Sequence, residues 1–341
     1  MPETDPATVE RSDWLAALGA RAAEDVPHGG PPPPSPPTAA ELADRTRLLA
    51  VPDVDRAAVL ATFPDPARTP RRWQALLRCH RTLFADADAD ASPPTAADWP
   101  DAPPELGAYG RYFYVHLYLL ALPYALREAA RRGVPDDVLR ATFADLGAKL
   151  TSYRAAYGTG GLDRQTWLVR HFRGTLHRLG RLQFERTAHR AATHGDTAAT
   201  GGPADGAPVL AVHIPGDGPL SPDLCDASFR AARPFHARHF PGEPYAYATC
   251  HSWLLDEQLA ARLRGDANIL AFQRRFHLHG DRPVCDDDVL EFVFRTPPRA
   301  TADGLAVLDT LPRTSTLQRV LTAHLREGHH WRLGHGWLPL P

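Results

Sequence analysis

The chain has almost no lysine and almost no methionine: Lys149 is its only lysine and Met1 its only methionine. Arginine takes over lysine's share of the positive charge, and Ala and Pro are abundant, a pattern that reads as base-composition bias in the source genome. The net charge is −2, so no strong field of either sign draws nucleic acid or an anionic membrane. The four cysteines, Cys79, Cys225, Cys250 and Cys285, lie far apart with no C-x-x-C pair. That excludes a disulfide framework and suits free thiols in a reducing compartment. The first residues, MPETDPATVE, have neither a basic stretch nor an apolar one, so no secretory signal is expected. Long apolar runs are missing too. The longest, Tyr112 to Leu126, is interrupted by His116 and Pro123 and is too short to span a bilayer. A soluble, cytoplasmic protein is expected, and 341 residues leave room for two domains.

Residues 1–157 read as helical. A short helix is expected around Trp14 and Leu15, and Pro31 to Pro37 is a stiff, extended linker. Thr38 is placed to cap a helix from Ala39. Asp55 to Thr62 and Arg71 to Phe84 have helical apolar spacing, with Trp73, Leu76, Leu77 and Leu83 as core and His80 as a structural histidine. Asp86 to Pro104 is a loop; its alternating aspartates lack the glycine turn and closing glutamate of a calcium loop. Tyr109 to Arg132 is apolar on most faces and becomes the central helix. Another helix starts at Asp136. No residue of this half carries a catalytic pattern.

Residues 158–341 change character. Leu182 and Phe184 alternate with polar residues, the period of a half-buried strand. Thr187 to Pro208, small, polar and glycine-rich, reads as a mobile loop. Val209 to Val212 is a short buried strand. A Pro/Gly loop follows, and then Ser221 and Pro222 open a helix that runs to about His239. Tyr245 to Leu255 is a strand. Glu257 to Phe276 is a helix interrupted near Gly265. Val289 to Phe294 and Leu305 to Leu308 read as strands. Ser315 caps a helix, and Trp331 to Leu338 is a closing strand. The fold class is α+β: an all-α domain, 1–157, followed by a mixed α/β domain, 158–341.

The strand–glycine loop–helix segment from Val209 to Phe229 is the most informative stretch. Free amides and the positive end of a helix suit a pyrophosphate, and glycines let a backbone approach it. Asp217 and Asp223 count against an anion there.

His213-Ile-Pro-Gly216-Asp-Gly218 resembles the acyl-CoA pyrophosphate loop of GNAT-type N-acyltransferases, Gln/Arg-x-x-Gly-x-Gly/Ala, with His213 in place of the usual Gln or Arg. Asn268-x-x-Ala271 resembles the family's later helical motif, Asn-x-x-Ala-x-x-x-Tyr, whose tyrosine falls at Arg275. The runs RHFRGTLHRLGRLQFE, VHIPGDGPLS, CHSWLLDEQL and ANILAFQRRF are similar to a predicted acyltransferase family. It joins an N-acyltransferase N-terminal domain to a GNAT-like C-terminal domain.

The resemblance implies an acyl-CoA co-substrate, no metal, and attack of a small-molecule or peptide amine on the thioester. Two parallel strands would part around the pantetheine arm. Ala211, Val212, His213 and Ile214 would line that arm. Gly216, Asp217, Gly218, Leu220 and Ser221 would hold the phosphates, and Asn268 would belong to the cofactor site. Tyr247 to Trp253 would form the second strand. Deprotonating the amine needs a base; Glu185 is the first candidate and His213 the second. Cys250 and Ser252 share a strand face and are candidates to contact or reprotonate the sulfur. His251 points to the opposite face from Cys250, so the two make no dyad.

Two other readings stand beside this one. The chain is rich in histidine, with His171, His177, His213, His236, His239, His251, His277, His279, His329 and His330 in its second half. A metal-dependent hydrolase is therefore an alternative, although no H-E-x-x-H or spaced Cys/His set is present. A non-catalytic acyl-CoA sensor is the other.

Overall fold

The computed structural model describes residues 10, 12–20, 31–85, 99–297 and 305–341. Most of the expected loop from Asp86 to Pro104, and of a turn expected from Pro297 to Asp303, lies outside these residues. The chain divides into two compact units, Met1–Leu176 and His177–Pro341.

The first unit is helical: α1 Asp13–Ala20, α2 Ala39–Leu48, α3 Asp53–Ala61, α4 Pro70–Phe84, α5 Gly107–Arg111, α6 Phe113–Arg131, α7 Asp136–Phe143, α8 Asp145–Tyr157 and α9 Gln165–Phe172. Thr38 caps α2 in a full capping box with Glu41, worth about 1 kcal/mol. In α6 all ten residues from Phe113 to Leu122 are buried, as befits a helix apolar all round and enclosed by others. Pro123 has no N–H to give the Leu119 carbonyl. Arg45 of α2 supplies that donor at 3.0 Å, so the break in the helix ladder becomes a tie between helices.

Asp55, fully buried, accepts from the Tyr112 hydroxyl at 2.7 Å and pairs with Arg154. The pairing joins α3 to α8. Leu77, expected in the core, is only half-buried, whereas Trp73, Leu76 and Leu83 are buried. The helix from Asp136 is two helices, broken at Ala144. The unit boundary falls after Leu176 and not at Gly158, because α9 packs into the helical core. Phe172 meets Tyr118 and Phe143, and Arg173 donates to the Leu83 and Ala85 carbonyls.

The second unit is built on a six-stranded sheet. Its strands are β1 Leu176–Leu179, β2 Leu182–Ala188, β3 Pro208–His213, β4 Tyr247–Ser252, β5 His277–His279 and β6 Gly334–Pro339, in the order β1-β2-β3-β4-β6-β5. Only the β3–β4 pair among the registered pairs is parallel. The connection is α11, Pro222–His239, the helical crossover that parallel neighbours require.

The registers sort the side chains onto two faces. Leu182, Phe184, Leu210, Val212, Ala248, Cys250 and Leu338 share one, where Phe184 packs edge-on against Phe229 of α11. Glu185, Ala211, His213, Tyr247, Thr249, His251, His335, Trp337, His277 and His279 share the other. The first face is apolar, and the second is polar and rich in imidazole.

Several segments depart from the sequence expectation. Val289–Phe294 is not a strand but the body of helix α13, Asp286–Phe294, with three aspartates in its first turn. Carboxylates there complement the helix dipole, an end signal that a short apolar run by itself does not show. Leu305–Asp309 is a 3-10 turn and not a strand. Glu257 to Phe276 is a 3-10 turn, Glu257–Ala261, and a short helix α12, Asn268–Gln273. Strand β4 ends at Ser252, and Trp253–Leu255 is a 3-10 turn. The stretch after β2, expected as a mobile loop, folds into helix α10, Ala191–His194, and a 3-10 turn, Ala198–Thr200. His189 and Thr197 are buried in it. Helix α14, Thr316–Arg326, has the expected Ser315 cap, completed by Gln318.

Candidate active site

The parallel register of β3 and β4 runs over three pairs, Val209 with Tyr247, Leu210 with Ala248 and Ala211 with Thr249. Each strand then continues with its other neighbour. Val212 and His213 stay paired to Phe184 and Gln183 of β2, while Cys250, His251 and Ser252 stay paired to Gly336, His335 and Gly334 of β6. The sheet therefore opens between His213 and His251. Backbone groups in that opening keep hydrogen-bonding capacity, the requirement for holding an extended amide-bearing arm.

The loop at the end of β3 leads to α11. Ser221 occupies the N-cap position and Pro222 the first turn, and the Ser221 side chain makes no capping bond. Neither Gly216 nor Gly218 has a left-handed φ, so the turn itself does not require glycine at either position. Gly216 instead leaves space for a side chain: a β-carbon there would stand 3.0 Å from Nη2 of Arg295.

Three arginines surround this loop. Arg178 grips Asp217 with two bonds, at 2.5 and 3.2 Å. Burial raises the Asp217 carboxyl, but Arg178 outweighs it and leaves the group below its usual value. The aspartate that counted against phosphate is thus neutralised. Arg181, 7% exposed, donates to the Pro219 and Gly218 carbonyls, and its Nη1 is buried with no hydrogen-bond partner. Arg295 holds φ at 58°, in the left-handed region, which costs a non-glycine residue about 1–2 kcal/mol. No sequence motif marks these arginines, which come from the β1–β2 hairpin and the end of α13. An arginine inside the run RLGRLQFE was the available signal for Arg181.

Glu185 and His213 meet on the histidine-bearing face, Oε2 to Nε2 at 2.8 Å. They are diagonal neighbours, since Glu185 is paired with Ala211, two residues before His213. A carboxylate only accepts, so Nε2 carries the hydrogen and Nδ1 is the basic nitrogen of the ring.

The other candidates separate from this pair. Cys250 is buried on the α11 face, and burial pushes its thiol up to about 12, which removes thiolate chemistry near neutral pH. The Ser252 Oγ accepts from the Leu254 amide at 3.1 Å and caps the turn that follows. Val212 is buried, and Ile214 and Ser221 are half-buried; Leu220 is buried and Asp217 exposed. Asn268 is the exposed first residue of α12. Arg275, at the tyrosine position of the motif, bonds Asp226 and the Pro222 carbonyl and so pins α12 to α11. Among the described residues no group of His, Cys, Asp and Glu is arranged to hold a metal ion, and no helix is long and apolar enough to cross a membrane.

Residues 40–174 match the family of N-acyltransferase N-terminal domains, and residues 176–338 match the family of GNAT-like C-terminal domains. No curated protein matches the chain. Among solved structures, the chain is similar to an acyltransferase in complex with decanoyl-CoA and teicoplanin. The two share 36% identity, the match covers 99% of this chain and 100% of the other, and the TM-score is 0.83. An acyltransferase in complex with CoA and 10C-teicoplanin matches with the same identity, coverage and score. An acyltransferase mutant in complex with octanoyl-CoA matches at 36% identity, with the same coverage and a TM-score of 0.82. With both domains matched in order and full-length likeness to acyltransferases, the chain belongs to the two-domain family of acyl-CoA-dependent N-acyltransferases.

Proposed function

We propose that this enzyme moves a medium-length fatty acyl group from CoA to an amine of a glycopeptide. The observation that carries the reading is the 36% identity, over 99% of the chain, to an acyltransferase holding decanoyl-CoA and teicoplanin together. The parted strands support it. In this reading Ala211, Val212, His213 and Ile214 line the pantetheine arm, and the segment from Gly216 to Ser221 receives the phosphates. Arg181 and Arg295 supply the positive charge that the missing lysines do not, while Arg178 offsets Asp217.

The chemistry follows from the Glu185–His213 pair. Glu185 holds Nε2–H, and Nδ1 of His213 takes a proton from the attacking amine. The amine enters neutral; as it adds to the thioester carbonyl its nitrogen becomes positive and gives that proton to His213, and the developing oxyanion is met by backbone donors. Collapse forms the amide and expels CoA thiolate. Glu185 is thus the orienting partner and His213 the base, the reverse of the order in which sequence placed them.

The test is incubation of the purified protein with decanoyl-CoA and a glycopeptide bearing a free amine. Thiol release and product mass are read together. The expected result is equimolar free CoA and a glycopeptide heavier by one decanoyl group. Thiol release with no change in glycopeptide mass, equal to that without acceptor, would mark a thioester hydrolase and end the assignment.

A further inference from the structure

The connection from β2 to β3 is a closed loop seated on the imidazole-bearing face of the sheet. The backbone holds its two ends together, His189 N–H to the Ala207 carbonyl at 2.8 Å and Gly206 N–H to the His189 carbonyl at 2.9 Å. The loop also bonds itself. The Ala191 amide donates to Asp205 at 2.9 Å, the Gly202 amide to the Thr197 carbonyl at 2.9 Å, and the Thr197 hydroxyl to the Pro203 carbonyl at 2.7 Å. It is a compact loop with adjacent ends, packed on its own side chains, so lifting it unpairs no strand.

Imidazole on imidazole seats this loop. The His194 ring of α10 lies flat on His251 of β4, with centroids 3.9 Å apart and planes at 13°. It stands 6.1 Å from His335 of β6, and His189 stands 6.3 Å from His279 of β5. His251 and His335 are joined Nδ1 to Nδ1 at 2.7 Å. Glycines let the backbones meet. A β-carbon on Gly280 would stand 2.8 Å from the His194 carbonyl oxygen, and one on Gly202 would stand 2.7 Å from the Trp337 ring. The Tyr247 hydroxyl donates to the Gly201 carbonyl at 3.2 Å.

We infer that residues 190–206 form an acid-released strap, seated beside the β3–β4 opening while its histidines and those beneath it are neutral, and lifted when they take up protons. The inference does not depend on which amine is acylated.

A bond between two Nδ1 atoms needs one bare nitrogen, so the His251–His335 pair holds only while at least one of those nitrogens carries no hydrogen. The rings of that pair are 4.9 Å apart and those of the stack 3.9 Å, distances at which two positive charges repel. The surrounding groups are known. His213 of β3, tied to Glu185 of β2, acts on His251, and Asp281 after β5 acts on His335. His277 of β5 stacks on Trp337. Arg190, Asp196 and Asp205 of the strap itself are exposed. Burial, and then the neighbouring imidazoles, hold His194, His251 and His279 below their usual value; burial also lowers His335, against Asp281.

The sign follows. With the strap seated, these rings refuse protons that they take up near pH 6.5 in water. Below 6.5 the lifted form binds more protons, so acid favours it, by up to about tenfold per pH unit for each ring released.

The test is amide hydrogen exchange of the wild-type protein from pH 7.5 to 5.5, read by mass spectrometry, with each rate divided by the intrinsic rate at that pH. Protection in peptides from 190–206 is expected to fall at least about 100-fold, the change that two newly protonated imidazoles give. Peptides from β3 are expected to stay at least about 100-fold better protected than the strap throughout. In the double variant His194→Phe, His279→Leu the ring at 194 still stacks and neither residue titrates, so the fall is expected to shrink about 100-fold. A smaller fall in wild type, strap and β3 amides exchanging together, or a variant that keeps the whole fall would overturn the inference. The wild-type profile decides by itself where the variant does not fold.

Discussion

In the proposed reaction Glu185 matters less for its own basicity than for what a carboxylate forbids. It has no hydrogen to give, so in that reading it keeps the hydrogen of His213 on Nε2 and Nδ1 acts as the base. Glutamine keeps the size but can donate as well as accept, and the tautomer is no longer set. Glu185→Gln is therefore expected to lower kcat about 100-fold, within the usual reach of acid–base catalysis, while leaving the CoA-induced melting shift unchanged. Parallel loss of kcat and of the CoA shift would make the pair a structural brace. Each member of the pair was legible in the sequence as a base candidate. Their meeting was not, because 28 positions separate them and only the β2–β3 register closes that distance. Cys250 and Ser252 show the opposite limit. Alternation placed them correctly on one strand face, but sequence could not say that this face is the one α11 covers.

The loop proposed to receive the phosphates shows what an element adds to its residues. Its order of strand, loop and helix was legible from Val209 to His239, with Pro222 marking the helix start. Its charge was not, because Arg178 and Arg295 reach it from elements 39 and 79 residues from Asp217 and Gly216 (217 less 178, and 295 less 216). A carboxylate introduced at 216 would reach the Arg295 guanidinium and occupy the place of a phosphate. CoA at 100 times its dissociation constant stabilises wild type by about 2.7 kcal/mol, seen as a rise in Tm, and Gly216→Glu is expected to abolish that rise. An undiminished rise in the variant would place CoA elsewhere. Helix α13 explains why Arg295 was missed. VLEFVF read as a strand, and only its burial pattern, with Val289, Leu290 and Phe294 inside and Phe292 out, shows a helix whose last turn delivers the arginine. Strands β1 and β5, four and three residues long, were below what alternation can register.

Across the whole molecule, buried imidazoles set the response to acid. His80 and His116 in the helical unit and His236 in α11 are each at most 2% exposed. Burial lowers all three, to about 4, about 3 and about 4. The unfolded chain takes up these protons near pH 6.5, while the folded chain refuses them until much lower. Between those values the unfolded state binds more protons, so stability rises with pH and falls as acid is added. The contribution is whole above about pH 6.5 and drains as pH falls toward 4, by up to about 1.4 kcal/mol per pH unit for each histidine. Tm measured from pH 7.5 to 4.5 is expected to fall steeply below 6.5, and the triple variant His80→Leu, His116→Leu, His236→Leu should flatten that fall even where its Tm at pH 7.5 is lower. His116 bonds the Val59 carbonyl and His236 the Ala232 carbonyl, so some loss at pH 7.5 is expected. The slope, not the starting value, decides the matter. A variant as acid-sensitive as wild type would shift the cause to the other imidazoles that burial lowers, His251 and His279 foremost. Asp145 does not account for a fall in this range: burial raises it, but His171 and Lys149 hold it well below the usual range. Its contribution is lost only as pH drops below the ordinary aspartate value near 3.9, under the range scanned.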